Sequence, residues 1–147
     1  MSPEKAKRRK GRGTGLKFLR IGDFSLIPRH LLEAVEPKDC DTDAVYAWGP
    51  AIASDPATIL GVFVDADLAV KGFLWATRNP LDRKIHVQML SVDNAYRGRG
   101  IVRETRGILD RIRKEEGGGK ITFRTTRPEI FAGRGFARSR TIIMEEV

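Results

Sequence analysis

Residues Ile85–Ile112 read IHVQMLSVDNAYRGRGIVRETRGILDRI, and the rest of the chain is organised around this stretch. Ile85, Val87 and Met89 alternate with His86, Gln88 and Ser91, Leu90 and Val92 follow, and Asp93-Asn94 breaks the run, so a strand is expected over Ile85–Val92. From Ile101 the period changes. Ile101, Thr105, Ile108 and Ile112, with Val102 and Leu109 beside them, form one apolar stripe of a helix, which Gly117-Gly118-Gly119 ends. Between strand and helix lies the basic turn Tyr96-Arg97-Gly98-Arg99-Gly100. Glycines entering a helix let a ligand approach the backbone, and the first helical amides lack intrahelical partners at the positive end of the helix dipole. That combination suits a phosphate or pyrophosphate. Spacing alone leaves open an ordinary strand-to-helix turn with solvated arginines.

The 147 residues suit one domain, and at 41% hydrophobic they can fill a core. No run approaches the roughly 18–20 apolar residues of a membrane span. The basic start is followed by no apolar stretch, so no secretory signal is expected and a cytoplasmic protein is the simplest account. One cysteine, Cys40, excludes an internal disulfide framework, and with only His30 and His86 it cannot build a zinc site; Cys40 reads as a small structural residue, and no metal is expected. Charge is uneven. Residues 1–15 carry net +5 and residues 97–140 net +8, whereas residues 23–67 carry net −7. An anion at the basic end and a cation at the acidic end are one reading; solvated surface charge is the other.

Residues 1–15, MSPEKAKRRKGRGTG, read as a disordered basic arm, a nucleic-acid contact or a solubilising tail. Residues 16–147 read as the folded domain. Leu16–Ile21 is a first strand. Pro28 opens a helix over Arg29–Glu36 that Pro37 stops, and Asp41 caps a second short helix that Gly49-Pro50 ends. Thr58–Val64 and Leu68–Thr77 form an antiparallel hairpin, and Asn79-Pro80 turns into the central strand. After the central helix, Lys120–Thr125 is a strand, Pro128 opens a short helix over Glu129–Phe131, and Thr141–Glu146 is a last strand.

This element order resembles the GNAT superfamily of acyl-CoA-dependent N-acyltransferases over nearly all of residues 16–147. Leu90-Ser91-Val92 followed by Arg97-Gly98-Arg99-Gly100-Ile101 resembles that family's acyl-CoA motif, and Phe131-Ala132-Gly133-Arg134-Gly135-Phe136 resembles its late Tyr-x-x-x-Gly-Phe signature. The resemblance implies a single-domain α/β (α+β) fold, with a central mixed, mostly antiparallel sheet flanked by helices. It implies acetyl-CoA as co-substrate, with Leu90, Ser91 and Val92 along the pantetheine arm and Arg97, Gly98, Arg99, Gly100, Ile101, Val102 and Arg103 around the pyrophosphate. This chain departs from the pattern at Val102, where Gly or Ala is usual, and at Phe131, where the thiolate-protonating Tyr usually sits. No carboxylate lies on the Ile85–Val92 strand, which leaves His86 as the candidate base there.

The activity implied is transfer of an acetyl group to a primary amine of a cationic acceptor, such as a lysine-containing peptide or a polyamine, by direct attack in a ternary complex. The alternative is a catalytically degenerate domain of the same fold used for binding, assembly or nucleic-acid association. A narrower idea is self-acetylation of Lys5, Lys7 or Lys10 in the arm. Monomer and homodimer are both compatible with the sequence.

Overall fold

The strands expected between residues 16 and 125 pair in chain order into one sheet. Residues 13–35, 41–140 and 142–147 are described by a computed structural model. β1 (Lys17–Arg20), β2 (Thr58–Val64), β3 (Val70–Arg78), β4 (Ile85–Val92) and β5 (Ile121–Phe123) lie side by side in that order. β1–β2, β2–β3 and β3–β4 are antiparallel; β4–β5 is parallel. Two helices, α1 (Arg29–Glu33) and α2 (Thr42–Ser54), precede β2, and α3 (Ile101–Glu116) is the crossover that a parallel β4–β5 pair requires.

The period-two pattern of the strands sorts their side chains into two cores. Ile59, Phe63, Leu74, Ala76 and Ile85 meet Leu109 and Ile112 of α3 on one face. Leu60, Val62, Val64, Phe73 and Met89 meet Phe24, Ile27, Leu31 and Leu32 on the other, under α1 and α2. β4 contributes to both because its alternation slips. Trp75 pairs with Met89, and the next β3 residue, Ala76, pairs with Val87, so Gln88 is an extra, bulged residue. Val87 therefore faces α3, whereas Met89, on the same side in a simple alternation, packs in the opposite core.

Four expectations change. α2 runs through Gly49-Pro50 to Ser54 instead of ending there. Pro50 forfeits only one hydrogen bond, and Gly49 brings the helix onto Phe24, where a Cβ would stand 3.0 Å from the Phe24 Cβ. The Tyr46 hydroxyl adds a hydrogen bond to the Ile27 carbonyl, so tertiary packing holds the helix together across the proline. α1 ends at Glu33, three residues early, closed by a tightened turn in which the Val35 amide donates to the Leu32 carbonyl at 3.3 Å. Residues 142–147 form no strand: Ile142, Ile143 and Met144 are exposed, Met144 by 88%, and no ladder partner lies beside them among the described residues. An apolar run becomes a strand only where an edge is offered, and β5 is three residues long. Finally, Gly13–Gly15, expected within the arm, belong to the folded part, because Thr14 is buried. Residues 1–12, the stop at Pro37, Cys40 and Thr141 lie outside the described residues.

Leu109 joins α3 to the sheet and is 0% exposed. Leu109→Ala is expected to lower unfolding stability by about 2–5 kcal/mol, read as a reduced urea midpoint with an unchanged slope.

Candidate functional site

The β4–β5 ladder is short. β5 pairs with β4 only at Ile85, Val87 and the intervening His86, and the pairing stops one residue before the bulge at Gln88. From Gln88 to Val92 no described strand flanks β4 on that side. The sheet opens there, and a cavity of about 230 Å³ fills the opening. Its β4 wall runs from Val87 to Leu90, its α3 wall carries Val102, Thr105, Arg106 and Leu109, and Phe123, Phe131 and Phe136 close the far side. These three rings stack edge-on around Phe123, with centroids 4.7 Å and 5.1 Å from Phe131 and Phe136. Phe131 is thus part of an aromatic wall and has no proton to give.

The first turn of α3 forms one end of this wall. Gly98 and Gly100 adopt φ of +72° and +86°, a region that costs a residue with a Cβ about 1–2 kcal/mol. Gly100 is the N-terminal cap and contributes no side chain, and Glu104 makes the first intrahelical bond, to the Gly100 carbonyl at 3.0 Å. The amides of Ile101 and Val102 therefore have no intrahelical acceptor, which leaves a positive, donor-rich end next to the cavity. Val102 is 42% exposed and its side chain lines the cavity.

The arginines of the turn differ in their surroundings. Arg97 is exposed. Arg103 folds back so that one guanidinium nitrogen lies 2.9 Å from where a Cβ on Gly100 would be. Arg99 lies over the Tyr96 ring at 5.5 Å and donates from Nε to the Gly13 carbonyl at 3.2 Å. The acid of this turn, Glu104, is held by Thr14: the Thr14 amide donates to Oε1 at 2.8 Å and its hydroxyl to Oε2 at 2.7 Å. Residues ninety apart in sequence thus fix the base of the basic turn, a contact with no local sequence signal.

His86 stands outside the cavity lining. Its Nδ1 is 2.9 Å from the Thr122 hydroxyl, where the β4–β5 ladder is still closed. Burial, and secondarily the Arg124 charge, hold its pKa below the ordinary imidazole value, which favours the neutral ring. No carboxylate and no histidine lines the cavity among the described residues. Among the described residues, the acids of the front half are largely spent on local structure. Asp23, Asp41, Asp55 and Asp65 each accept from a backbone amide within four residues, and Asp43 pairs with Arg29 at 2.6 Å. Among the described residues no group of acids, histidines and cysteines is arranged to hold a metal, and no helix is long and apolar enough to cross a membrane.

No protein-family model and no curated protein matches the chain. Solved structures do. The aminoglycoside N-acetyltransferase AAC(6')-Iy, bound to the bisubstrate analogue CoA-S-monomethyl-acetylneamine, superposes with a TM-score of 0.69 at 17% identity, over 90% of this chain and 97% of its own. The same enzyme is also known in complex with CoA. The aminoglycoside 6'-N-acetyltransferase AAC(6')-Ih from Acinetobacter baumannii gives 0.68 at 12% identity, over 90% and 98%. A transcriptional regulator from Bacillus halodurans C-125 gives 0.66 at 18%, over 90% and 99%. At these identities the likeness is one of fold, and it bears out the GNAT-like architecture expected from the motifs.

Two outcomes follow from this geometry. Gly100→Ala is expected to lower stability by about 1–2 kcal/mol through its positive φ, measured by chemical denaturation. His86 has a depressed pKa in the folded state, so its contribution is complete above about pH 6.5 and is lost as pH falls, because the unfolded imidazole takes the proton first. The melting-temperature difference between wild type and His86→Gln should therefore shift against wild type between about pH 7 and pH 5.

Proposed function

We propose that this protein is an N-acyltransferase that moves an acetyl group from acetyl-CoA to a primary amine. The observation that carries the proposal is the opening of the sheet beside Gln88–Val92, directly in front of the donor-rich start of α3. A ligand with a long arm and a phosphate head needs both parts, an extended backbone edge beside an apolar slot and a cluster of amides with cations. Leu90, Ser91 and Val92 would run along the arm, and the amides from Gly98 to Val102, with the Arg97 and Arg103 charges, would hold the phosphates; the Arg97 amide is already bonded to the Asn94 carbonyl at 3.2 Å. The fold likeness to acetyltransferases known with CoA supports the same assignment.

Acetyl-CoA supplies an activated acyl carbon. The amine nitrogen forms the new bond to that carbon, the carbon–sulfur bond breaks, and the amine gives up a proton while the departing sulfur gains one. The protein's contribution is to hold the arm and to surround it with Val102, Leu90 and Phe131, which exclude water and keep the thioester from hydrolysis. Among the described residues no acid or histidine lines the cavity, so in this reading the acceptor enters as its free amine and the protons exchange with solvent.

Acetyl-CoA at a hundredfold excess over its Kd should stabilise the protein by about 2–3 kcal/mol, seen as a raised melting temperature. Thiol should then be released in the presence of a panel of primary amines. His86→Gln should keep transfer within about twofold; a loss of a hundredfold or more would restore His86 as the base. Two observations favour a second reading, a CoA-binding protein without transfer: Phe131, and a lining that holds no carboxylate among the described residues. Thermal stabilisation without thiol release from any amine would select it, and neither stabilisation nor release would reject both.

A further inference from the structure

The apolar stripe of α3 has one member out of character. Position 105 falls between Ile101 and Ile108 on the helix face that packs on the sheet, where valine would fill the same volume. Thr105 is 4% exposed, and its hydroxyl has no hydrogen-bond partner among the described residues. A helical threonine ordinarily bonds back to a carbonyl one turn earlier, and a buried hydroxyl without a partner is destabilising. Thr105 lines the cavity between β4 and α3. The other polar side chains there, Gln88, Arg106, Arg124 and Thr125, are exposed or half-buried, so water can satisfy them.

We infer that the Thr105 hydroxyl is a ligand-binding group that hydrogen-bonds an amide of the arm lying in the slot, and so helps set where along β4 that arm stops. This rests on the acyl-CoA reading above. A hydroxyl can donate to an amide carbonyl or accept from an amide N–H, so it matches an aliphatic chain interrupted by amides better than a plain acyl chain. Thr105 lines the cavity from α3 and Leu90 lines it from β4, so the arm would be held from both walls.

The test is isothermal titration of wild type, Thr105→Val and Thr105→Ser with acetyl-CoA and with adenosine 3′,5′-bisphosphate, which keeps the nucleoside and two of the three phosphates but has no arm. Thr105→Val should weaken acetyl-CoA binding by about three- to tenfold, Thr105→Ser should retain it, and both should bind the bisphosphate like wild type. Without ligand, Thr105→Val should melt higher than wild type, because it removes an unpartnered buried polar group. Improved apo stability with weakened binding separates a ligand contact from a merely structural role. Equal acetyl-CoA affinity in wild type and Thr105→Val would overturn the inference while leaving the acyl-CoA reading intact, as would equal weakening toward both ligands. No binding of acetyl-CoA by wild type would remove the reading on which it rests.

Discussion

The site depends on a single irregularity in the sheet, the bulge at Gln88. One extra residue flips the alternation of β4, so that Val87 packs under α3 and Met89 packs under α1 and α2. A bulged strand bends and twists more strongly than a regular one. The β4–β5 ladder ends at Val87, immediately before the bulge, and the cavity begins where the ladder stops. Were β4 regular, β5 could continue beside it, and the backbone edge from Gln88 to Val92 would be consumed by a neighbouring strand. The bulge thus leaves that backbone edge open.

α3 then gives the opening its polarity. As the crossover between two parallel strands, it must start near the end of β4 and run back over the sheet. Its amide-rich end is therefore placed at the mouth of the opening by connectivity alone. The positive φ of Gly98 and Gly100 makes the turn tight enough for this, and the one acid of the first turn, Glu104, is bonded to Thr14. Charge, dipole and an apolar slot meet in one place, which fits a ligand anionic at one end and neutral along its arm.

Much of this was legible in the sequence. The bounds of β4 and α3 follow from a change of period at Gly100, and the turn between them announces its chemistry through its glycines and arginines. What the sequence concealed was tertiary. Gly49-Pro50 reads as a stop, yet Phe24 packs on Gly49 and the helix continues. The bulge leaves no mark in the pattern IHVQM, because Met89 is apolar and belongs in a core on either side. The acids of residues 23–67 suggest a cation site, but most of those described are caps and turn residues bonded to nearby amides. Thr105 looks like a tolerated member of an apolar stripe until the cavity beside it is seen. The run from Ile142 to Met144 has strand character but meets no edge among the described residues.

The central claim is that the opened β4 edge and the start of α3 form one binding site. A crystal structure of the protein soaked with coenzyme A tests it most directly. The pantetheine arm is expected alongside Gln88–Val92, between β4 and the Phe123–Phe131–Phe136 wall, with the pyrophosphate on the amides from Gly98 to Val102. Coenzyme A bound elsewhere, or an opening that closes as β5 extends its ladder past Gln88, would contradict it.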